Sequence, residues 1–231
     1  LTCLALASLS LSACTDLDET VYSEVSSNNY FNTREDVVAM AFRSFEHGYW
    51  TIVPRFRMNE LSGDQLIIPR RDGSWDDGGV WRQFHYHTWT PDITRHVHDE
   101  WDACFAGIAQ ANFAMDRFNE LSPDKFGFGE EEWNSLKTQN RVLRCWYYLR
   151  LLDGFRNIPF SVSYDDPSQN SMAQVEPQFV FDFIERELTE SIPLLYKKES
   201  LGSGSQYANL WTQGGAAALL VRLYLNAKEY I

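Results

Sequence analysis

Residues 92–121 read DITRHVHDEWDACFAGIAQANFAMDRFNEL. Ile93, Val97, Trp101, Phe105, Ile108, Asn112, Met115 and Phe118 recur every three or four positions. That is the period of a helix with one face turned inward. The spacing predicts a helix from about Asp92 to Leu121. Asn112 stands on the apolar face, so it needs a buried partner or costs on the order of 1–3 kcal/mol. Pro123, Gly127 and Gly129 mark the turn that follows.

A second helix is expected from about Glu131 to Asp153. Its stripe of Trp133, Leu136, Leu143, Tyr147 and Leu151 is widened by Val142, Cys145, Trp146, Leu149 and Leu152, so it should be buried on more than one side. Gly154 and Ile158-Pro159 should end it, and residues 158–177 should be extended. A third helix begins after Pro177, with Pro193 to bend or stop it. A Gly/Ser turn at 200–205 leads to a fourth from about Leu210. Upstream, Thr33 is a natural N-cap, with Glu35 and Asp36 in the first turn; this helix should stop at Gly48. Gln65–Ile68 before Pro69 reads as either a short strand or an extended arm. The expected class is mostly all-α: stacked helix pairs of TPR-like kind, by analogy because the strict repeat is absent. Long irregular loops and at most a short hairpin complete it.

The 231 residues carry a formal net charge of -12. No basic stripe is visible, so nucleic acid is excluded as a partner. Residues 1–13 are apolar and uncharged, like the core of a signal peptide. They end Leu11-Ser12-Ala13-Cys14, which resembles a bacterial lipobox and implies acylation of Cys14. The acidic Thr15–Glu19 run resembles the export signal of surface lipoproteins in Bacteroidetes-type bacteria. Residues 14–32 should then be a lipidated tether and 33–231 a helical domain. Cys104 and Cys145 read as buried thiols, a single bridge between them being the alternative. The chain begins without Met and stops inside an apolar run, so both ends read as cut.

Arg70–Trp101 holds half of the chain's eight Trp: Trp75, Trp81, Trp89 and Trp101. Asp72, Asp76, Asp77 and Arg70–Arg71 lie among them. No helical or strand period runs through Gly73–Asp77, so a loop is expected there. An indole can stack on the C–H face of a sugar while carboxylates and guanidinium groups bond its hydroxyls. The alternative is that these Trp side chains anchor a long loop to the scaffold. A third reading is metal: His85 and His87 would share a strand face. His96 and His98, two apart on a helix, would not share a face, and no Cys completes a zinc set. A Ca²⁺ in the Asp72–Asp77 loop fits the charge, but the spacing is not that of an EF-hand; no cofactor or metal is expected.

Four groups of residues together resemble the N-terminal half of a SusD/RagB-family outer-membrane lipoprotein. The first is Cys14–Glu19. The second is Asn59-Glu60-Leu61-Ser62-Gly63-Asp64, leading through Arg70–Arg71 to Trp75–Gly79 and His87–Pro91. The third runs from Trp101 through Ile108, Ala111-Asn112, Arg144, Tyr147-Tyr148, Leu152 and Gly154-Phe155 to Ile158-Pro159. The fourth is Phe183-Ile184-Glu185, Leu188 and Ala216 to Asn226. The pattern departs from the family at Gly63, where Thr is frequent, and at Cys145, where Ala is frequent. The resemblance implies a TPR-like helical scaffold on the cell outer membrane, over a TonB-dependent SusC-like transporter. It implies capture of oligosaccharide or another nutrient, with no catalysis. Full members are about twice as long, so a C-terminal half is expected to be missing. The ligand contacts implied are Asp64, Arg71, Trp75, Asp76, Trp81 and Trp89.

Two other functions compete: a docking subunit with little ligand contact, and a glycoside hydrolase. The second has carboxylates enough, but no spacing fixes the separation that either hydrolytic mechanism needs. Radiolabelled palmitate should enter the wild-type chain and not Cys14→Ala; equal labelling would remove the acylation site.

Overall fold

In the computed structural model, residues 31–75, 77–90, 95–165, 172–202 and 210–231 are described. The expected signal segment 1–13, Cys14 and the tether to residue 30 lie outside them. So do Asp76, Asp92, Ile93, residues 166–170 and residues 203–205. Thr33–Ile231 clusters as one unit.

Helix α1 spans Arg34–Ser62, with Thr33 as its N-cap. The Thr33 hydroxyl accepts from Asp36 N at 3.2 Å, and Asp36 Oδ2 accepts from Thr33 N at 2.8 Å, a reciprocal capping box. The expected stop at Gly48 is wrong. The helix runs on through Gly48 and even Pro54. Pro54 gives no N–H to the turn before it, yet packing of α1 along α3 and α4 overrides that local cost. At Gly48 the Trp146 ring and the Tyr147 hydroxyl lie 3.5 Å from where a Cβ would stand.

Helix α2 is Val80–His85, α3 Arg95–Glu120 and α4 Glu130–Phe155. Helix α5 is Pro177–Ser191, with Pro177 in its first turn, and α6 Gln213–Leu225 is capped by Thr212. A last turn, α7, is Ala227–Tyr230. Successive long helices pack side by side: α1 on α3, α3 on α4, α4 on α5, α5 on α6. Strands β1 Ile158–Pro159 and β2 Gln174–Val175 form the short antiparallel hairpin, with Ile158 opposite Val175. Gly154 does not end α4; the turn comes at Arg156, whose φ is 65°. The arm after α1 pairs with no strand among the described residues, so Gln65–Ile68 is an arm.

The main core gathers Ile108, Leu143, Tyr147, Tyr148, Leu152, Ile158, Ile184, Leu188 and Leu223. The expected stripe of α3 is buried only in part: Ile108, Asn112 and Phe118 are sealed. His96, Glu100, Cys104, Ile108 and Ala111 are sealed, while Trp101 and Phe105 are only half-buried. Gly107 also faces the core, and the Tyr147 ring lies against it: a Cβ there would be 2.2 Å from Tyr147 Cζ.

Polar groups enter this core in pairs. Arg150 donates from Nε and Nη2 to Glu100 at 2.8 and 2.7 Å, and to the Thr51 carbonyl at 2.8 Å. Arg144 donates to Asn112 Oδ1 at 2.8 Å and to Glu187 at 3.0 Å. Asn112 donates in turn to the Ser161 carbonyl at 3.2 Å, which supplies the partner its position demanded. Arg141 grips the same Glu187 in bidentate fashion at 2.8 and 2.9 Å. Cys104 and Cys145 are free, buried thiols; burial pushes the Cys145 thiol up to about 12. Among the described residues no helix is long and apolar enough to cross a membrane.

Gly107→Ala should cost about 1–3 kcal/mol or more through overpacking, although alanine is the better helix former. A denaturation midpoint equal to wild type would show that the Tyr147 contact yields freely. A second expectation concerns acid. Burial works to raise the Glu187 carboxyl, but its hydrogen bonds and charge contacts with Arg141 and Arg144 outweigh burial and hold it low. A depressed folded value gives stability that is complete above the unfolded value, about 4.3, and lost as pH falls through the folded one. The thermal midpoint should therefore drop below about pH 4, and Glu187→Gln should melt earlier at neutral pH but with a shallower acid slope. Parallel acid slopes would contradict this.

Candidate functional site

The candidate face is built where α1 ends. Gly63 N donates to the Asn59 carbonyl at 2.8 Å, and Gln65 N and Leu66 N both reach the Glu60 carbonyl. Asp64 then turns the chain with φ 58°. Leu66 and Ile68 face inward on a small core of Leu61, Val80, Trp81 and Phe84, which Met58 and Val97 complete. Ile67, between them, is exposed. This alternation lays the arm flat on the end of the bundle.

Arg71 and Ser74 form a two-residue hairpin, with N–H···O bonds of 3.0 and 2.7 Å in the two directions. Asp72 and Gly73, between them, have φ of 46° and 81°. Two successive positive φ values are those of a type I′ turn, which Asp-Gly favours. This dipeptide signal was present in the sequence; reading the stretch only for period missed it. Trp75 follows, with φ 65° and 65% of its surface exposed. The Arg71 guanidinium lies 6.0 Å from its ring centroid. Asp77, Gly78 and Gly79 continue in the left-handed region and feed α2. Asp76 lies outside the described residues.

Of the six described non-glycine residues with positive φ, five lie between Asp64 and His87. Asp tolerates this conformation, but Trp gains nothing from it. Such strain persists only where surrounding structure enforces it, and it gathers at functional surfaces. Here the enforcement is visible. His87 Nε2 lies 2.8 Å from the Ser62 carbonyl, and His85 Nδ1 lies 3.2 Å from Asp64 Oδ1. These two histidines do not share a strand face: His85 ends α2, and His87 lies in the turn beyond it. They brace the loop against the end of α1. Among the described residues no three His, Cys, Asp or Glu side chains gather as a metal set.

The six expected ligand residues therefore separate. Arg71 and Trp75 share the hairpin, exposed together. Asp64 is exposed beside His85. Trp89 is 47% exposed, its inner side set against Phe84 and His87. Trp81 differs: only 7% of it is exposed. It stacks on His96 at 4.7 Å, with the Arg57 guanidinium 5.0 Å from its ring. The expectation that Trp81 offers a stacking face is corrected; it is the anchor under the loop. Trp81 thus fits the anchoring reading of the aromatic stretch, whereas Trp75 and Trp89 stay open to solvent. Tyr86, also exposed, was not among the candidates.

Residues 64–225 match the family described as SusD-like, "starch-binding associating with outer membrane". No protein of curated function matches the sequence. Among solved structures, a laminarin-binding SusD-like protein is 25% identical, with TM-score 0.65, over 82% of this chain and 40% of its own. Surface glycan-binding protein A from Bacteroides uniformis is 17% identical, TM-score 0.68, over 84% and 42%. A SusD superfamily protein from Parabacteroides distasonis is 17% identical, TM-score 0.67, over 84% and 39%. The chain thus spans about 40% of the length of these structures. The match covers most of the domain, both the strained loop and the stacked helices: the chain belongs to the SusD-like family.

Proposed function

We propose that this chain captures oligosaccharide on the face between Asp64 and Trp89. It does so at the outer surface of the outer membrane, held there through an acylated Cys14. The observation that carries the reading is Trp75, a large indole held open on a strained hairpin with Arg71 beside it. Each stacked indole contributes about 0.5–1.5 kcal/mol, and each bond from Arg71, Asp64 or Asp76 to a hydroxyl nets about 1 kcal/mol against water. The sum is micromolar to millimolar affinity, on the order of 4–8 kcal/mol. Weak binding suits a protein that passes its cargo on. The receiver we propose is a TonB-dependent SusC-like transporter, and the capture involves no bond cleavage, no metal and no cofactor.

A docking role is the second reading, and one observation favours it. Tyr49, Ile52, Val53 and Phe56 recur on one face of α1, with Trp50 beside them, and all are exposed. A contiguous apolar patch of that kind marks interaction surfaces.

Trp75→Ala should abolish retardation of the protein in glycan-containing native gels while leaving its thermal midpoint unchanged. Retardation equal to wild type would remove this site. Trp81→Ala should instead destabilise the fold by about 3–5 kcal/mol. Release of reducing ends from the bound glycan would contradict capture without cleavage.

A further inference from the structure

Two clefts adjoin the exposed apolar ridge of α1. Tyr49 lines both of them, Ile52 one and Val53 the other. The first cleft, of about 420 Å³, lies between α1, α4 and the start of α6. Phe45, Leu143, Trp146 and Trp211 help to wall it, and no charged side chain among the described residues enters its lining. A sugar there would give up water from its hydroxyls with few groups to replace it, which costs energy. An aliphatic or aromatic side chain gives up no such bonds and gains by burial.

The second cleft, of about 600 Å³, lies between α1 and α3. Tyr49, Trp50 and Val53 of α1 line it together with Asp99 and Asp102 of α3. Both carboxylates are exposed. Asp102 makes no ion pair among the described residues, and Asp99 lies 3.8 Å from His96 Nδ1. Arg57 belongs to the same lining, but toward its other end. Arg150 bonds Thr51 of α1 and Glu100 of α3, and Trp81 touches Arg57 of α1 and His96 of α3. The two helices therefore run antiparallel. That sets Asp102 toward Trp50 and puts Arg57 about 10 Å further along α1. An exposed indole beside open carboxylates suits a cation, since the ring face attracts an ammonium or guanidinium and a carboxylate bonds it.

We propose, resting on the docking reading above, that this ridge and its two clefts receive a segment of a protein partner. That segment carries an apolar side chain and, beside it, lysine or arginine. The apolar side chain fills the cleft walled by Trp146 and Trp211, and the basic one meets Trp50, Asp99 and Asp102. The net charge of -12 favours the approach of such a partner. It disfavours a second copy of this chain, which would bring the same carboxylates, and it disfavours an anionic lipid surface.

Selection of random dodecamer peptides on the immobilised full chain tests this, followed by the Kd of the enriched peptides in solution. Those peptides should carry an aromatic or aliphatic residue and an excess of Lys and Arg over Asp and Glu. Ile52→Ser should raise their Kd about tenfold, and Asp99→Asn with Asp102→Asn about fivefold. Raised salt should weaken binding to the wild type and shrink that second difference. Ile52, Asp99 and Asp102 are exposed, so these variants keep the fold, and Trp75→Ala should leave peptide binding unchanged. Peptides that depend on Ile52 but carry no basic excess overturn the partner's charge and leave the docking face standing. Peptides whose Kd responds to neither set of substitutions, or only to Trp75→Ala, overturn the docking face as well, and so does the absence of any enrichment.

Discussion

Two buried arginines of α4 set the geometry on which everything else rests. Arg150 clamps Glu100 of α3 and the Thr51 carbonyl of α1. Six residues earlier, Arg144 joins Asn112 of α3 to Glu187 of α5. One helix thereby holds three others, each through a bond with a fixed direction. Buried ion pairs add little net stability, because desolvation offsets most of the attraction. Their effect here is to penalise any other arrangement, since moving a helix would leave a charge unpaired in the core. Gly107 adds a steric condition to the electrostatic one. It lets the Tyr147 ring lie against α3, and the Tyr147 hydroxyl reaches the Ser44 carbonyl of α1 at 2.6 Å.

That rigid frame makes the strained loop affordable. The Arg150 clamp holds α1 at Thr51, about three turns before its end, and Ser62 and Asp64 present partners to His87 and His85. Trp81, pressed between His96 and Arg57, ties α2 down. Between these anchors the chain must pass through several left-handed residues, and Trp75 is carried outward on an Asp-Gly turn. Preorganisation of this kind lowers the entropy lost on binding. It matters most where each contact is weak, as with sugars in water.

Much of the fold was legible in the sequence. The three-and-four spacing gave α3 and α4, Thr33 its cap, Pro177 the start of α5, and Asn112 its need for a partner. Gly48 and Pro54 misled, because helix breakers act locally, while one face of α1 packs against α3 and α4. The arginine clamps were hidden for a related reason: Arg144 and Arg150 read as charged residues on a helix that otherwise looked apolar. Around the candidate face, the sequence shows the aromatic stretch but not which of its rings are open. Nothing in the residues around Trp75 and Trp81 separates them, since which is sealed depends on His96 and Arg57, distant in sequence. The Asp72-Gly73 turn was legible.

The central claim is that a sugar meets this chain at the end of α1 and the loop after it. Hydrogen exchange of the full chain, with and without a saturating bound glycan, tests it most directly. The account predicts slower exchange in residues 59–90, with little change along α5 and α6. Protection confined to α5 and α6, or spread along the exposed stripe of α1 with none in 59–90, would contradict it.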